Sequence, residues 1–256
     1  MKVVLIGSGN VATHLGKALK LAGHTILQVW SRNIQNAHEL AELLNAKALS
    51  SLELLSDAGD IYIISVSDDA IPSIVAAFPF SDKLIVHTSG TSGIEVLQQG
   101  SQQTGVFYPL QTFSKQRPVN FQKIPIAVEG CTAEVEAHLK KLAESISENV
   151  VVFDSEKRKA LHVAAVFACN FTNHLYTLSK EILEASHLNF ELIRPLIEET
   201  AKKVQNFYPD EVQTGPAVRN DLSIVNKHLE FLQGKPELQA LYKDLSQNII
   251  NFYQKP

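Results

Sequence analysis

Two cysteines, Cys131 and Cys169, are all that 256 residues hold, and they lie far apart without metal-ligand spacing. That scarcity weighs against a disulfide framework or a thiolate metal centre, and both read as reduced thiols. No stretch approaches the roughly 20 consecutive apolar residues of a membrane-spanning helix. The opening apolar run is short and ends in glycines, so it does not read as a secretion signal, and cytoplasmic residence is expected. There is no basic excess either. The formal charge is -4 and the isoelectric point about 6.1, which argues against nucleic acid or an acidic membrane as partner. Internal repeats and low-complexity tracts are missing as well.

What is present is globular: 45% hydrophobic and 20% charged residues, enough chain for two modest domains. Up to about residue 153, strand-like runs alternate with helical patterns. The strand candidates are Lys2–Gly7, Thr25–Trp30, Ile61–Val66, Leu84–Thr88, Val106–Tyr108, Pro125–Val128 and Val150–Phe153. Most are continuous apolar runs rich in Val and Ile, as in a parallel sheet covered on both faces. Helical periodicity over Val11–Leu21, Gln35–Leu44 and Ala133–Ser147 completes βαβ units. Beyond Phe153 the texture is helical only: Ser155–Lys180, apolar nearly all round and so expected to be a buried central helix, then about Glu191–Phe207, Asp221–Leu232 and Pro236–Tyr253. The predicted class is α/β: a mostly parallel sheet domain over 1–153 and an all-helical domain over 154–256.

Gly7-Ser8-Gly9-Asn10-Val11-Ala12 matches G-x-G-x-x-A between the first strand and the first helix, the context that marks a dinucleotide-binding turn of Rossmann type. Gly7 permits the tight turn, Gly9 lets a diphosphate approach the backbone, and Ala12 lets helix and strand lie close. The helix start offers free N–H groups and a positive dipole end. Ser8, Asn10 and Val11 complete the candidate diphosphate site.

The second strand ends in "VWSRN". A carboxylate there would hold a free ribose 2′-hydroxyl, yet none occurs between His24 and Ala37. Ser31 and Arg32 stand in its place and suit a 2′-phosphate. The expected cofactor is therefore NADP(H), with a surface arginine at a strand end as the other reading of Arg32.

Two further strand ends should face the same crevice. In "ISVSDDAI", Ser65 and Val66 would lie beside the cofactor, while Ser67 or Asp68 would cap the next helix. In "VHTSG", His87 and Ser89 are polar groups at the lip of a buried strand; His87 is either a site residue or a structural histidine bonded to backbone. "VFYPLQTF" brings Tyr108 and Gln111 to another strand end, where Tyr108 is a proton donor or an aromatic wall.

Together "GSGNVATHLGKAL", "WSRN", "HTSG", "YPLQTF", "LHVAAVFACNF" and "TGPAVRNDLSIVNKHL" resemble the 6-phosphogluconate-dehydrogenase-like superfamily. Within it the chain is most similar to a bacterial family of NADP oxidoreductases that has a helical C-terminal domain of unknown function and is related to pyrroline-5-carboxylate reductase. The resemblance implies NADP(H) in the first domain, a substrate pocket towards the helices, and a homodimer paired through the helical domain.

"HVAAVFACNFTNH" puts polar groups into an apolar helix. At about 100° per residue His162 and Asn173 share a face, and Asn170 lies about 12 Å along the axis from His162. Related 3-hydroxyacid dehydrogenases carry a lysine and an asparagine four residues apart on this helix. Here the pair is broken, with Val166 replacing one member whichever alignment is chosen. His162 could act as a general acid near neutrality, and Asn170 and Asn173 could orient a substrate. In "TGPAVRNDLSIV", Asp221 is a plausible N-cap, and Arg219 is free for a substrate carboxylate or an interface.

The expected function is NADPH-dependent reduction of a C=N or C=O group in a small, carboxylate-bearing substrate. His87 or His162 would give the proton, Asn170 would orient the substrate, and Ser89, Tyr108, Asn173 and Arg219 would bind it, with no metal. The alternative is a catalytically silent NADP(H)-binding sensor.

Overall fold

The computed structural model describes residues 1–254. Its first 152 residues build one eight-stranded sheet: β1 (Lys2–Ile6), β2 (Thr25–Trp30), β3 (Lys47–Leu49), β4 (Ile61–Ile64), β5 (Leu84–His87), β6 (Gln103–Pro109), β7 (Ile126–Gly130) and β8 (Val150–Val152). Their order is β3-β2-β1-β4-β5-β6-β7-β8. Every neighbouring pair is parallel except β6 and β7. The order reverses at β1, between β2 and β4, and ligands of such sheets bind outside the strands' carboxyl ends at that point.

Between the strands run α1 (Asn10–Leu21), α2 (Ile34–Leu44), the short α3 (Ile71–Ala76) and α4 (Ala133–Glu144). One apolar layer packs Leu15, Leu19, Leu40, Leu44 and Leu139 on one face of the sheet. A second gathers Trp30, Tyr62, Ile71, Ile74 and Phe78 on the other. Continuous apolar strands such as Val3–Ile6, buried throughout, follow from cover on both faces. Asn33 caps α2, its side chain accepting from the Gln35 N–H, and Asn45 ends it in the left-handed region at φ 56°. The edge strand β3 has no counterpart in the apolar pattern, since only Leu49 of its three residues is buried.

Helix α5 (Ser155–Ala165) opens the helical part, with Asp154 as N-cap. The expected single buried helix over Ser155–Lys180 needs correction on two counts. A π-helical turn, Val166–Phe171, interrupts it before α6 (Thr172–Ala185), so the regular step on which a shared polar face of His162 and Asn173 rests is not kept. Nor is it buried within this chain: Phe167 and Phe171 are 65% and 50% exposed. Further on come α7 (Arg194–Asn206), α8 (Leu222–Phe231) and α9 (Pro236–Tyr253). Asp221 does cap α8, accepting from the Ile224 N–H at 3.2 Å.

Contacts divide the chain into two compact units, Met1–Asn170 and Phe171–Pro256. Helix α5 stays with the first because its Arg158, 1% exposed, is ion-paired to Glu129 of β7. Among the described residues no helix is long and apolar enough to cross a membrane. None of their His, Cys, Asp and Glu side chains group so as to hold a metal ion.

Candidate active site

The crevice of the first unit begins where β1 stops. Gly7 has φ 129°, a value side chains rarely adopt, and its N–H donates to the Trp30 carbonyl at 2.8 Å. A Cβ on Gly7 would lie 2.2 Å from the Ser65 carbonyl oxygen. Only glycine therefore lets the ends of β1, β2 and β4 converge. Gly9 is the N-cap of α1, and a Cβ there would meet nothing within 4 Å. The first turn of α1 carries no acidic residue, so its unpaired N–H groups face open space with their positive dipole end unopposed. The Ser8 and Ser31 hydroxyls are 3.0 Å apart and tie the turn to the end of β2. Arg32 is exposed beside them, and no ion pair of the described residues engages it.

These residues line one cleft of about 590 Å³, together with Ser65, Val66, Ser89, Tyr108 and His162. The Trp30 indole lies in its wall, with its buried Nε1 unpartnered.

At the other end of the cleft the Tyr108 hydroxyl and His162 Nδ1 are 2.9 Å apart, with the rings edge to face. Tyr108 sits at the end of β6 and His162 on α5. The imidazole rests on Gly90, where a Cβ would come within 2.5 Å of Nδ1. Burial raises the Tyr108 hydroxyl above its ordinary range, and the Arg158 guanidinium partly opposes that. The Arg158 guanidinium also donates to the Ser92 carbonyl and to Ser155 Oγ. It thereby clamps α5 to the loop after β5. A second cavity of about 790 Å³ opens beyond the pair, walled by Leu110, Leu161, Val166 and Asn170 among others.

A family model described as "NADP oxidoreductase coenzyme F420-dependent" matches residues 2–90, and one for a domain of unknown function, DUF2520, matches residues 124–249. The chain is 43% identical to the provisionally named NADP oxidoreductase BF3122 from Bacteroides fragilis, over 98% of each chain, with a TM-score of 0.90. It is 26% identical to protein TM1727 from Thermotoga maritima, again over 98% of both, at a TM-score of 0.75. The chain belongs to this NADP oxidoreductase family. The fold also matches a reductive aminase from Aspergillus terreus in complex with NADPH and ethyl-5-oxohexanoate, at 16% identity, 98% and 93% coverage and a TM-score of 0.72. No curated protein sequence matches.

The cofactor of the family, NADP, fits what the oxidoreductase offers: a cradle at Gly9 that a side chain would narrow, free helix N–H groups, and an unpaired cation near Ser31. Each residue read from the sequence as cofactor-binding, from Gly7 to Val66, lines the one cleft. The candidate catalytic residues divide. His162 joins that cleft to the second cavity, and Asn170 lines the second only.

His87 requires correction. It is fully buried, its Nε2 donates to the Gly93 carbonyl at 3.2 Å, and its Nδ1 accepts from the Ser89 N–H. Burial lowers its pKa to about 4, so near neutrality it is an uncharged brace whose one N–H is engaged by the Gly93 carbonyl. Ser89 is likewise spent on the fold. Its hydroxyl donates to Asp68 at 2.7 Å and accepts from the N–H groups of Thr91 and Ser92. Asp68 accordingly braces two strand ends through Ser89 and Thr91. Neither Ser67 nor Asp68 makes the expected helix cap, for no side chain caps the turn after β4. Asn173 and Arg219 are exposed and lie in the second unit. Sequence reasoning missed Arg158, whose partner Glu129 is 29 residues away.

Proposed function

We propose that this oxidoreductase reduces a C=N or C=O group of a small molecule, with Tyr108 and His162 managing the proton. The observation that carries the reading is the 2.9 Å pair standing in the wall common to both cavities. NADPH, when bound, supplies the hydride. Backbone N–H groups at the start of α1 hold the diphosphate, Ser31 and Arg32 the 2′-phosphate, and Ser65 and Val66 line the middle of the cofactor's path.

The pair has two proton arrangements. If the Tyr108 O–H donates to Nδ1, His162 keeps its own proton on Nε2. If Nδ1 is protonated and donates, the Tyr108 O–H is free. In either arrangement one N–H or O–H of the pair is left to hydrogen-bond the substrate nitrogen or oxygen, and the imidazolium form of half-buried His162 would be the acid that completes the transfer. The Asn170 amide orients the substrate within the second cavity.

The helical unit acts as the pairing surface of a homodimer. Leu192, Leu196 and Phe207 are 66%, 65% and 58% exposed on it, apolar side chains that such pairing would cover. The broken lysine–asparagine pair, with Val166 in place of one member, favours a second reading, a silent NADP(H) sensor. Spectrophotometric NADPH oxidation with a panel of imines and ketones separates the two. Turnover that disappears in a Tyr108→Phe, His162→Ala double variant supports the reductase. Tight NADPH binding without turnover on the whole panel refutes it and leaves the sensor.

A further inference from the structure

The cavity beyond Tyr108 and His162 carries information about the substrate's body. Its apolar wall includes Leu110, Phe113, Leu161 and Val166, and its polar atoms come from neutral or titratable groups such as Gln111 and Asn170. Among the described residues no Lys, Arg, Asp or Glu lines it. The cofactor cleft differs, since Arg32 and Asp68 line it. The cation available in the first unit's crevice is therefore at the cofactor end, away from the second cavity. An ionised carboxylate lying against that wall gives up part of its hydration without gaining a fixed countercharge. An uncharged body gains from burial against Leu and Phe side chains. A volume of about 790 Å³ accommodates a ring or a short chain beside the reacting carbon.

We propose that this site takes substrates whose C=N or C=O sits on an uncharged, largely apolar body, and that it discriminates against carboxylate-bearing analogues. The inference rests on the reductase reading for the reacting group and on the cavity lining for the body. It replaces the carboxylate-bearing substrate expected from the sequence.

Matched pairs test it with the full-length protein. The pairs are 2-phenyl-1-pyrroline against 2-(4-carboxyphenyl)-1-pyrroline, and cyclohexanone against 4-oxocyclohexane-1-carboxylate. With NADPH, kcat/KM should favour each neutral member by at least about tenfold. A second readout needs no hydride transfer. Cys169 lines the cavity, whereas Cys131 does not. With NADP⁺ present, cyclohexanol should slow alkylation of Cys169 by N-ethylmaleimide and leave Cys131 unchanged. The 4-hydroxycyclohexane-1-carboxylate partner should protect Cys169 much less. An Ala165→Lys variant, which adds a cation to the lining, should shift both readouts towards the carboxylates. No turnover with selective protection by cyclohexanol sinks the reductase reading and supports the ligand class. Preference for the carboxylate in either readout, or protection of Cys169 by neither compound, overturns the proposal.

Discussion

Tyr108 and His162 meet across 54 positions of sequence, hydroxyl to Nδ1 at 2.9 Å, with Gly90 as the floor under the imidazole. A pair joined by one hydrogen bond should behave as a unit. Tyr108→Phe and His162→Ala should each lower kcat by about 10²-fold or more, and the double variant should be scarcely worse than the weaker single. Steady-state kinetics on a substrate found with the panel above checks this; multiplicative losses would show that the two residues act separately.

Gly7 and Gly9 should part company on substitution. Gly7→Ala forces a methyl into the Ser65 carbonyl at positive φ and should cost about 2–4 kcal/mol by urea unfolding. Gly9→Ala meets no neighbour, so its stability change should stay under about 1 kcal/mol. NADPH affinity should fall in both, measured by calorimetry.

Arg32→Glu should weaken NADPH binding by about 10- to 100-fold or more, the worth of a lost charge-assisted bond, while NADH binding changes little. Equal losses for the two dinucleotides would remove Arg32 from the 2′-phosphate site.

The Arg158–Glu129 pair should be expensive to break and cheaper to replace. Glu129→Leu strands a guanidinium that is 1% exposed and should destabilise by about 3–5 kcal/mol, whereas Arg158→Met with Glu129→Leu should recover part of that loss. Denaturant midpoints of the single and double variants form the test.

His87 predicts an acid limb. Its folded pKa, about 4, lies below the ordinary 6.5. The unfolded chain therefore takes up the proton first as pH falls. The stabilisation is complete above pH 6.5 and is lost progressively towards pH 4, by about 2 kcal/mol at pH 5. In His87→Gln the stability difference between pH 7 and pH 5 should shrink by about that amount.

The cofactor turn was legible because its chemistry is local: Gly7, Gly9 and the start of α1 are neighbours in sequence, and strand and helix periodicity supplied their setting. That Ser31 and Arg32 line the same cleft was readable for the same reason, one strand later. Long-range partners were not. His87 read equally well as donor or brace until the Gly93 carbonyl and Ser89 N–H appeared on its two nitrogens. Arg158 drew no reading because nothing near it in sequence reveals Glu129. The edge strand β3 was too short and too exposed to produce an apolar run. The π turn at Val166–Phe171 defeated the helical projection, which assumes a constant step.

Trp30 is the chain's single tryptophan, and it stands in the wall of the dinucleotide cleft. The protein thus carries one indole fluorophore at the place where a dihydronicotinamide cofactor would lodge. Its ultraviolet emission overlaps the absorption of such a molecule, so quenching of that single signal offers an unlabelled optical gauge of occupancy, in this chain and in each variant that leaves Trp30 in place.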